Sequence, residues 1–111
     1  MSIAPSLLFK ITWDGMNGPP LVEEYRFHKK RMWRADYACV EGKVIIEIEG
    51  GIFVRGRHIR PQGFINDCSK YNTATLDGWA VIRLPPNLID SDNIGAIIKF
   101  TKRRIKEMKD G

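Results

Sequence analysis

The segment 43–49 constrains the fold more than any other part of this sequence. Its residues alternate, so that one side of an extended chain is aliphatic and the other side carries two acids, Glu47 and Glu49. Strand residues two positions apart are separated by about 6.6 Å, so these carboxylates can converge on one object between them. Gly50 and Gly51 then end the segment. The pattern predicts a β-strand with its aliphatic side on a core.

Weaker patterns before this strand predict the elements of the first half of the chain. Residues 3–13 fit a short helix or an extended lead-in, and the stretch 14–20, rich in Gly and Pro, is predicted to be a loop. Two extended stretches, 21–28 and 33–37, flank the basic turn 29–31. Together they predict a β-hairpin.

Helical and extended patterns alternate in the second half of the chain. Residues at helical spacing predict a helix over 63–77, and Gly78 suits the left-handed position that ends a helix. A short buried strand is predicted at 79–84, and an amphipathic helix at about 93–109, with Asp90 among its capping candidates. The predicted order is therefore helix, three strands, helix, strand, helix.

The last helix is predicted to have two distinct sides. Its isoleucine stripe can pack on this chain's own sheet or on a second copy, and the sequence does not decide between them. Its other side is rich in Lys and Arg, and is either a solvated face or a phosphate-binding face.

Length and charge narrow the class of protein. The 111 residues fit one domain, 1–111, and the net charge of +5 favours a polyanionic partner such as nucleic acid. No apolar run of about 18 residues and no export signal is apparent, so we expect no membrane span. Cys39 and Cys68 are far apart and are predicted to be free thiols in a reducing cytoplasm.

A third acid, Asp36, lies on the strand predicted before segment 43–49. It can join Glu47 and Glu49 if the strands pair in the right register. Carboxylates gathered beside a core repel one another and need a cation, and hard oxygen ligands favour Mg²⁺ or Mn²⁺. Alternatively, the two glutamates face water on the polar side of a half-buried sheet. Their spacing alone leaves both interpretations open.

Six short segments, taken in order, resemble a known family. They lie at 34–38, 44–51, 56–58, 63–64, 67–72 and 78–83. This set is similar to the restriction-endonuclease-like PD-(D/E)XK nucleases, and most of all to small phage-encoded members and the very-short-patch-repair type. The resemblance covers about 25–84. It implies an α+β fold with a mixed central sheet of about four strands flanked by helices, in the order α-β-β-β-α-β-α.

The resemblance also implies roles for particular residues. In that family an acid of the second strand and the first acid of an E-x-K motif on the third strand bind metal, which here implies Asp36 and Glu47. Glu49 stands where the family has its lysine, so the group that would orient the attacking water is missing from its strand. Some relatives take a lysine from the following helix, as Lys70 allows. Lys70 can instead pair with Asp67 as an ordinary helix residue.

The complete predicted site therefore has metal ligands, catalytic residues and DNA contacts. Asp36, Glu47 and Glu49 are predicted to hold Mg²⁺ or Mn²⁺. His58 is a candidate general acid toward the leaving group or a phosphate contact, or else a loop histidine without a partner. The residues predicted to contact the DNA backbone are Lys29, Lys30, Arg31, Arg55, Arg57 and Arg60.

The function implied by the resemblance is metal-dependent hydrolysis of phosphodiester bonds by a DNA endonuclease. A phage-encoded enzyme acting in recombination, repair or processing, by junction resolution or nicking, fits this expectation. The alternatives are a non-catalytic DNA-binding module on the same fold and a basic structural protein. We expect DNA as the partner, a homodimer with two equivalent sites, and a cytoplasmic location, in the host if the chain is phage-encoded.

Overall fold

The structure, a computed structural model, describes residues 3–50 and 61–111. In chain order its main elements are α1 (Pro5–Gly15), β1 (Val22–Tyr25), β2 (Ala35–Cys39), β3 (Val44–Ile48), α2 (Pro61–Leu76), β4 (Ala80–Leu84) and α3 (Ser91–Asp110). A short 3-10 helix, Pro86–Leu88, precedes α3. The predicted order of elements is confirmed, and the first segment is a helix rather than an extended lead-in.

The four strands form one mixed sheet in the order β1-β2-β3-β4. The first three strands are antiparallel neighbours, whereas β3 and β4 are parallel. Parallel neighbours require a crossover connection, and the segment containing α2 supplies it. β3 therefore lies inside the sheet, which explains why Val44, Ile45 and Ile46 are each at most 1% exposed.

One face of the sheet is covered by α1 and α3. Phe9 and Trp13 of α1 and Ile94 and Ile98 of α3 pack with Ile46 in the larger hydrophobic core. The isoleucine stripe of α3 is thus buried on this chain's own sheet, which resolves one of the alternatives left open by the sequence.

The opposite face of the sheet is covered by α2. Ala74 of this helix packs with Ala38, Ile45 and Trp79 in a second buried cluster. α2 therefore covers the side of β3 that carries the acids. The sheet does not expose a polar face to water on that side.

The predicted C-terminal end of α2 and the predicted N-cap of α3 are confirmed, whereas α2 begins at Pro61, two residues before the predicted start. Gly78 has a φ of +93°, and the N–H groups of Gly78 and Trp79 donate to the carbonyls of Thr75 and Ala74. This pair of bonds is the Schellman arrangement, which needs a left-handed residue after the helix. At the start of α3, the Asp90 side chain accepts a 2.8 Å hydrogen bond from the Asn93 N–H.

The predicted hairpin is present, but its second strand begins later than expected. β2 starts at Ala35, so Trp33 lies before the strand, where its ring stacks on Phe27 with centroids 6.2 Å apart. Aromatic packing in the connecting loop has replaced strand pairing at this position. Trp13 of α1 is fully buried, and its Nε1 donates to the Pro19 carbonyl.

The structure also bears on the two cysteines and on membrane-spanning segments. Cys39 is buried, Cys68 is partly buried, and both are free thiols, as predicted. Across 3–50 and 61–111, no helix combines the length and apolar character that crossing a bilayer requires.

Candidate active site

Asp36 and Glu47 meet where β2 and β3 separate. Ladder pairing of these strands ends at Tyr37 opposite Ile46, so the next two opposing residues are Asp36 and Glu47. Their carboxylates take the place of ladder hydrogen bonds. The Asp36 N–H donates to Glu47 Oε2 at 3.1 Å, and the Ile48 N–H donates to Asp36 Oδ2 at 2.7 Å. Each acid is thereby oriented by the backbone of the neighbouring strand.

Glu47 is a buried carboxylate, since the residue is only 4% exposed. Burial raises the pKa of Glu47 above its ordinary value, while the nearby Lys70 ammonium opposes this shift. Lys70 Nζ lies 2.5 Å from Glu47 Oε1. This ammonium is the cation that the structure places at Oε1, in a charge-assisted contact. A metal ion at Oε1 would share this oxygen with Lys70 or displace the ammonium.

The position of Lys70 follows from the crossover. α2 lies across the face of β3 that carries Glu47, and Lys70 is the α2 residue whose side chain reaches that acid. Its side chain is 17% exposed. The salt bridge that the structure gives Lys70 is with Glu47 and not with Asp67, so the interpretation of Lys70 as an ordinary surface residue does not describe its placement.

Glu49 lies beside this pair but faces other partners. Its Oε1 is 2.6 Å from Arg83 Nε and accepts a 3.3 Å hydrogen bond from the Tyr71 hydroxyl. The Arg83 guanidinium also lies over the Tyr71 ring, 4.5 Å from its centroid. The hydrogen bond that Arg83 donates to Glu49 raises the pKa of Arg83, and burial together with the charge of Glu47 raises the pKa of Tyr71.

Arg83 and Tyr71 are site residues that the sequence analysis missed. Tyr71 directly follows Lys70 on α2, and Arg83 is the β4 residue paired in register with Glu47. Both lie in segments quoted for the resemblance, but only the parallel register of β3 and β4 brings Arg83 next to the acids. We call the group formed by Asp36, Glu47, Glu49, Lys70, Tyr71 and Arg83 the carboxylate site.

The other predicted site residues lie elsewhere. His58, Arg55, Arg57 and Arg60 are outside the described residues. Three of the predicted DNA contacts lie in the loop between β1 and β2, and all three are exposed: Lys29, Lys30 and Arg31. This loop leaves β1 and enters β2 at the end of the sheet where Asp36 lies.

The carboxylate site meets part of what a divalent metal requires. Asp36 and Glu47 offer hard oxygen ligands side by side, but the Lys70 ammonium already lies at Glu47 Oε1. Glu49 is turned toward Arg83, and within 3–50 and 61–111 no three acid, His or Cys side chains form a ready metal-ligand group. A cation would thus fit the Asp36–Glu47 pair, with Glu49 able to join only after leaving Arg83.

A cavity of about 350 Å³ opens beside Asp36. It is also lined by Glu24, Ile48, Gly50 and the residues at the start of α1. Among the six residues of the carboxylate site, Asp36 lines this cavity, which lies at the start of α1.

Comparison with known proteins identifies the fold. No family model matches the sequence, and no curated protein matches it. Among solved structures, the chain is similar to "Homing Endonuclease I-Bth0305I Catalytic Domain", with a TM-score of 0.54 and 17% sequence identity. The match covers 96% of this chain and 94% of that one. It shows that the chain has the fold of an endonuclease catalytic domain, and the predicted fold class is confirmed.

Proposed function

We propose that this chain is a metal-dependent DNA endonuclease that hydrolyses phosphodiester bonds at the carboxylate site. The observation that carries the proposal is the buried Glu47, held between the Asp36 backbone and the Lys70 ammonium on an endonuclease-type fold. A buried carboxylate with a raised pKa and a specific charged partner is a common feature of functional sites. The basic charge of the chain supports a polyanionic substrate.

The proposed ligands of Mg²⁺ or Mn²⁺ are Asp36 and Glu47, with Glu49 as the third. When bound, the ion supplies a lowered pKa for the attacking water and offsets charge on the phosphate. Asp36 and Glu47 are already oriented by backbone N–H groups, which lowers the cost of organising them.

Lys70 takes the part of the lysine missing from β3. Its ammonium lies at the acids, where it would orient the attacking water or stabilise charge on the scissile phosphate. Losing one such donor commonly lowers the rate by roughly 10²- to 10³-fold. His58 remains the proposed source of a proton for the leaving oxygen, and its test is a separate substitution.

Glu49 and Arg83 form the part of the site that can rearrange. If Glu49 turns to the metal, the Arg83 guanidinium loses its partner and becomes free to bind phosphate oxygens in a forked geometry. With this exchange of partners, Glu49 and Arg83 each have a group of opposite charge beside them both before and after substrate binds. It gives a physical reason for an acid at the position where the resemblance predicts a lysine.

The test incubates the purified chain with supercoiled, linear and four-way-junction DNA in Mg²⁺, Mn²⁺ or chelator. Cleavage should require metal and should be lost in Asp36→Asn and Glu47→Gln. Glu23→Gln is a matched control, because Glu23 is an exposed acid of β1 outside the site. Calorimetric titration of Mn²⁺ gives a second readout, and weaker binding to Glu47→Gln than to the control is expected. The junction and nicking substrates separate the two proposed modes of cutting.

The second candidate function is a DNA-binding module without catalysis. It is favoured by one observation: Glu47 and Glu49 each already have a basic partner, so the site is electrically satisfied without metal. This candidate predicts DNA binding that is equal in metal and chelator, with no cleavage. Equal affinity of wild type and Glu47→Gln for Mn²⁺ would favour it over the nuclease.

A further inference from the structure

A second cavity, of about 580 Å³, lies on the α2 side of the sheet. We call it the lysine cleft, because Lys29, Lys30 and Lys43 line it together with Phe27, His28 and Trp79. Lys43 immediately precedes β3 and Glu47 lies near the end of that strand, so about 13 Å of extended chain separates the cleft from the carboxylate site. The proposed function assigns no role to this cavity.

The lysine cleft is positively charged. Lys29 and Lys30 are exposed, and Lys43 Nζ donates to the backbone carbonyl of Asp77 rather than to a carboxylate. Among the described residues none of the three lysines forms a salt bridge, and Asp77 is the one acid that lines the cavity. Three converging cations facing one acid favour an anionic ligand.

The remaining walls of the cleft are aromatic and held in place. Phe27 packs against Trp79 and Trp33, with centroid distances of 6.5 and 6.2 Å. His28 Nδ1 accepts hydrogen bonds from the backbone N–H groups of Lys30 and Arg31, at 3.1 and 3.0 Å. The turn that presents the lysines is thus organised before any ligand arrives, which reduces the entropic cost of binding.

We propose that the lysine cleft binds a nucleotide of single-stranded DNA, with its phosphates at the lysines and its base against Phe27. A cavity of about 580 Å³ lies in the range of about 300–1,000 Å³ used for organic ligands, and is far larger than a phosphate alone needs. Cations combined with an aromatic wall are the features that hold single strands, whereas a duplex keeps its bases stacked inside. The choice of DNA rests on the proposed function.

The cleft would hold the strand a short distance from the cut. At about 3.4 Å per nucleotide of a stacked strand, the separation of about 13 Å from Glu47 corresponds to roughly four nucleotides. The substrate implied is DNA with an unpaired strand beside the scissile bond, as at a junction, a flap or a frayed end.

The first experiment measures binding of a fluorescein-labelled 12-nucleotide oligothymidylate by anisotropy, in chelator so that no cleavage occurs. Lys29→Gln/Lys30→Gln should weaken binding and lower the slope of log K against log salt by about 1.4, at 0.7 for each lost contact. Lys102→Gln/Lys106→Gln on the exposed side of α3 removes the same charge and should leave both values unchanged. An equal loss in the two double variants would overturn the proposal, because the strand would then be held by net charge or by the basic side of α3 and not by the lysine cleft.

The second experiment tests the base. Wild type should bind the oligothymidylate about tenfold more tightly than an abasic strand of equal length, and Phe27→Leu should remove this preference. Equal affinity of wild type for the two strands, or tighter binding of a 12-base-pair duplex than of the single strand, contradicts the proposal. These comparisons need no variant, so they hold even if Phe27→Leu folds poorly. Since metal is absent throughout, failure of the nuclease proposal leaves this result intact.

Discussion

Glu47 links the folding of this chain to its proposed chemistry. Its pKa is raised chiefly by burial above an ordinary value of 4.5, so the folded chain keeps this proton to a higher pH than the unfolded chain does. Stability rises with pH only where the unfolded state binds more protons, and here the folded state binds more. The contribution of Glu47 to the free energy of unfolding must therefore fall as pH rises from about 4.5 through its raised pKa.

Because the contribution of Glu47 to stability falls as pH rises, Glu47→Gln should change how stability depends on pH. Urea unfolding in chelator, repeated between pH 4 and 8, should show that wild type loses stability relative to the variant as pH rises. The difference cannot exceed about 1.4 kcal/mol per pH unit, because a single proton is involved. The other acids are common to both proteins and cancel. Parallel curves for the two proteins would mean that Glu47 is not buried and charged as described.

Loss of the Arg83 guanidinium is predicted to affect DNA cleavage much more than folding. Its side chain is 51% exposed, and exposed ion pairs contribute only about 0–1 kcal/mol. Arg83→Gln should therefore change the free energy of unfolding by less than about 1 kcal/mol, yet lower DNA cleavage by roughly 10²-fold if the guanidinium binds phosphate. Kinetics and urea unfolding on the same samples separate the two effects.

The control for Arg83 is Arg83→Lys, which keeps the charge but loses the forked donors. It should restore part of the binding and little of the rate. An unchanged rate in Arg83→Gln would remove Arg83 from the mechanism and leave it as a surface partner of Glu49.

The C-terminal end of α2 depends on the left-handed conformation of Gly78. Gly78 has φ +93°, and a side chain in the left-handed region costs about 1–2 kcal/mol. An added Cβ would also lie 3.3 Å from Lys43 Nζ, which can move aside. Gly78→Ala should therefore destabilise the chain by about 1–2 kcal/mol through its backbone, as measured by urea unfolding.

Gly15 provides the matched control. It lies at the last residue of α1, and an added Cβ there meets nothing within 4 Å. Gly15→Ala should stabilise the chain by about 0.4–1 kcal/mol, because alanine restricts the unfolded state more than glycine does. Opposite signs for the two substitutions are the expected result, and two equal losses would refute the assignment of a left-handed cap.

The elements also show how far the sequence alone could reach. Alternation in 43–49 predicted β3, but the sequence left open the register that places Asp36 opposite Glu47. Lys70 was expected at the acids only through the resemblance, and Arg83 was not expected there. Lys70 reaches Glu47 only because of how α2 crosses the sheet, and Arg83 reaches Glu49 only through the parallel register with β4. Both depend on tertiary packing, which leaves no periodic signal in the sequence.

The burial of the acid side of β3 also depends on tertiary packing and not on local pattern. Alternation allowed both a solvated face and a buried metal site, since period-two patterns occur in each. The helix following β3 decides between them, because it covers that face and leaves Glu47 4% exposed. The spacing of the acids and their burial are thus independent facts, and only the first is visible in the sequence.

The homodimer remains a prediction, and α1 is the helix that bears on it. Leu7 and Ile11 of α1 are each 54% exposed, and Ile3, just before the helix, is 52% exposed. Three half-exposed side chains fall well short of the roughly 800 Å² per partner of a stable interface. The free chain should accordingly be monomeric at micromolar concentration by sedimentation.

DNA can shift this balance, because two copies on one duplex are held at high local concentration. α1 also begins at the cavity beside Asp36, so copies joined through this helix would bring two carboxylate sites near one substrate. Sedimentation with a four-way junction in chelator should show two copies per junction. Leu7→Glu should reduce this to one, whereas Leu88→Glu, which places the same charge at another exposed leucine, should not. Two copies bound in all three proteins would mean that they bind independently, with no contact through α1.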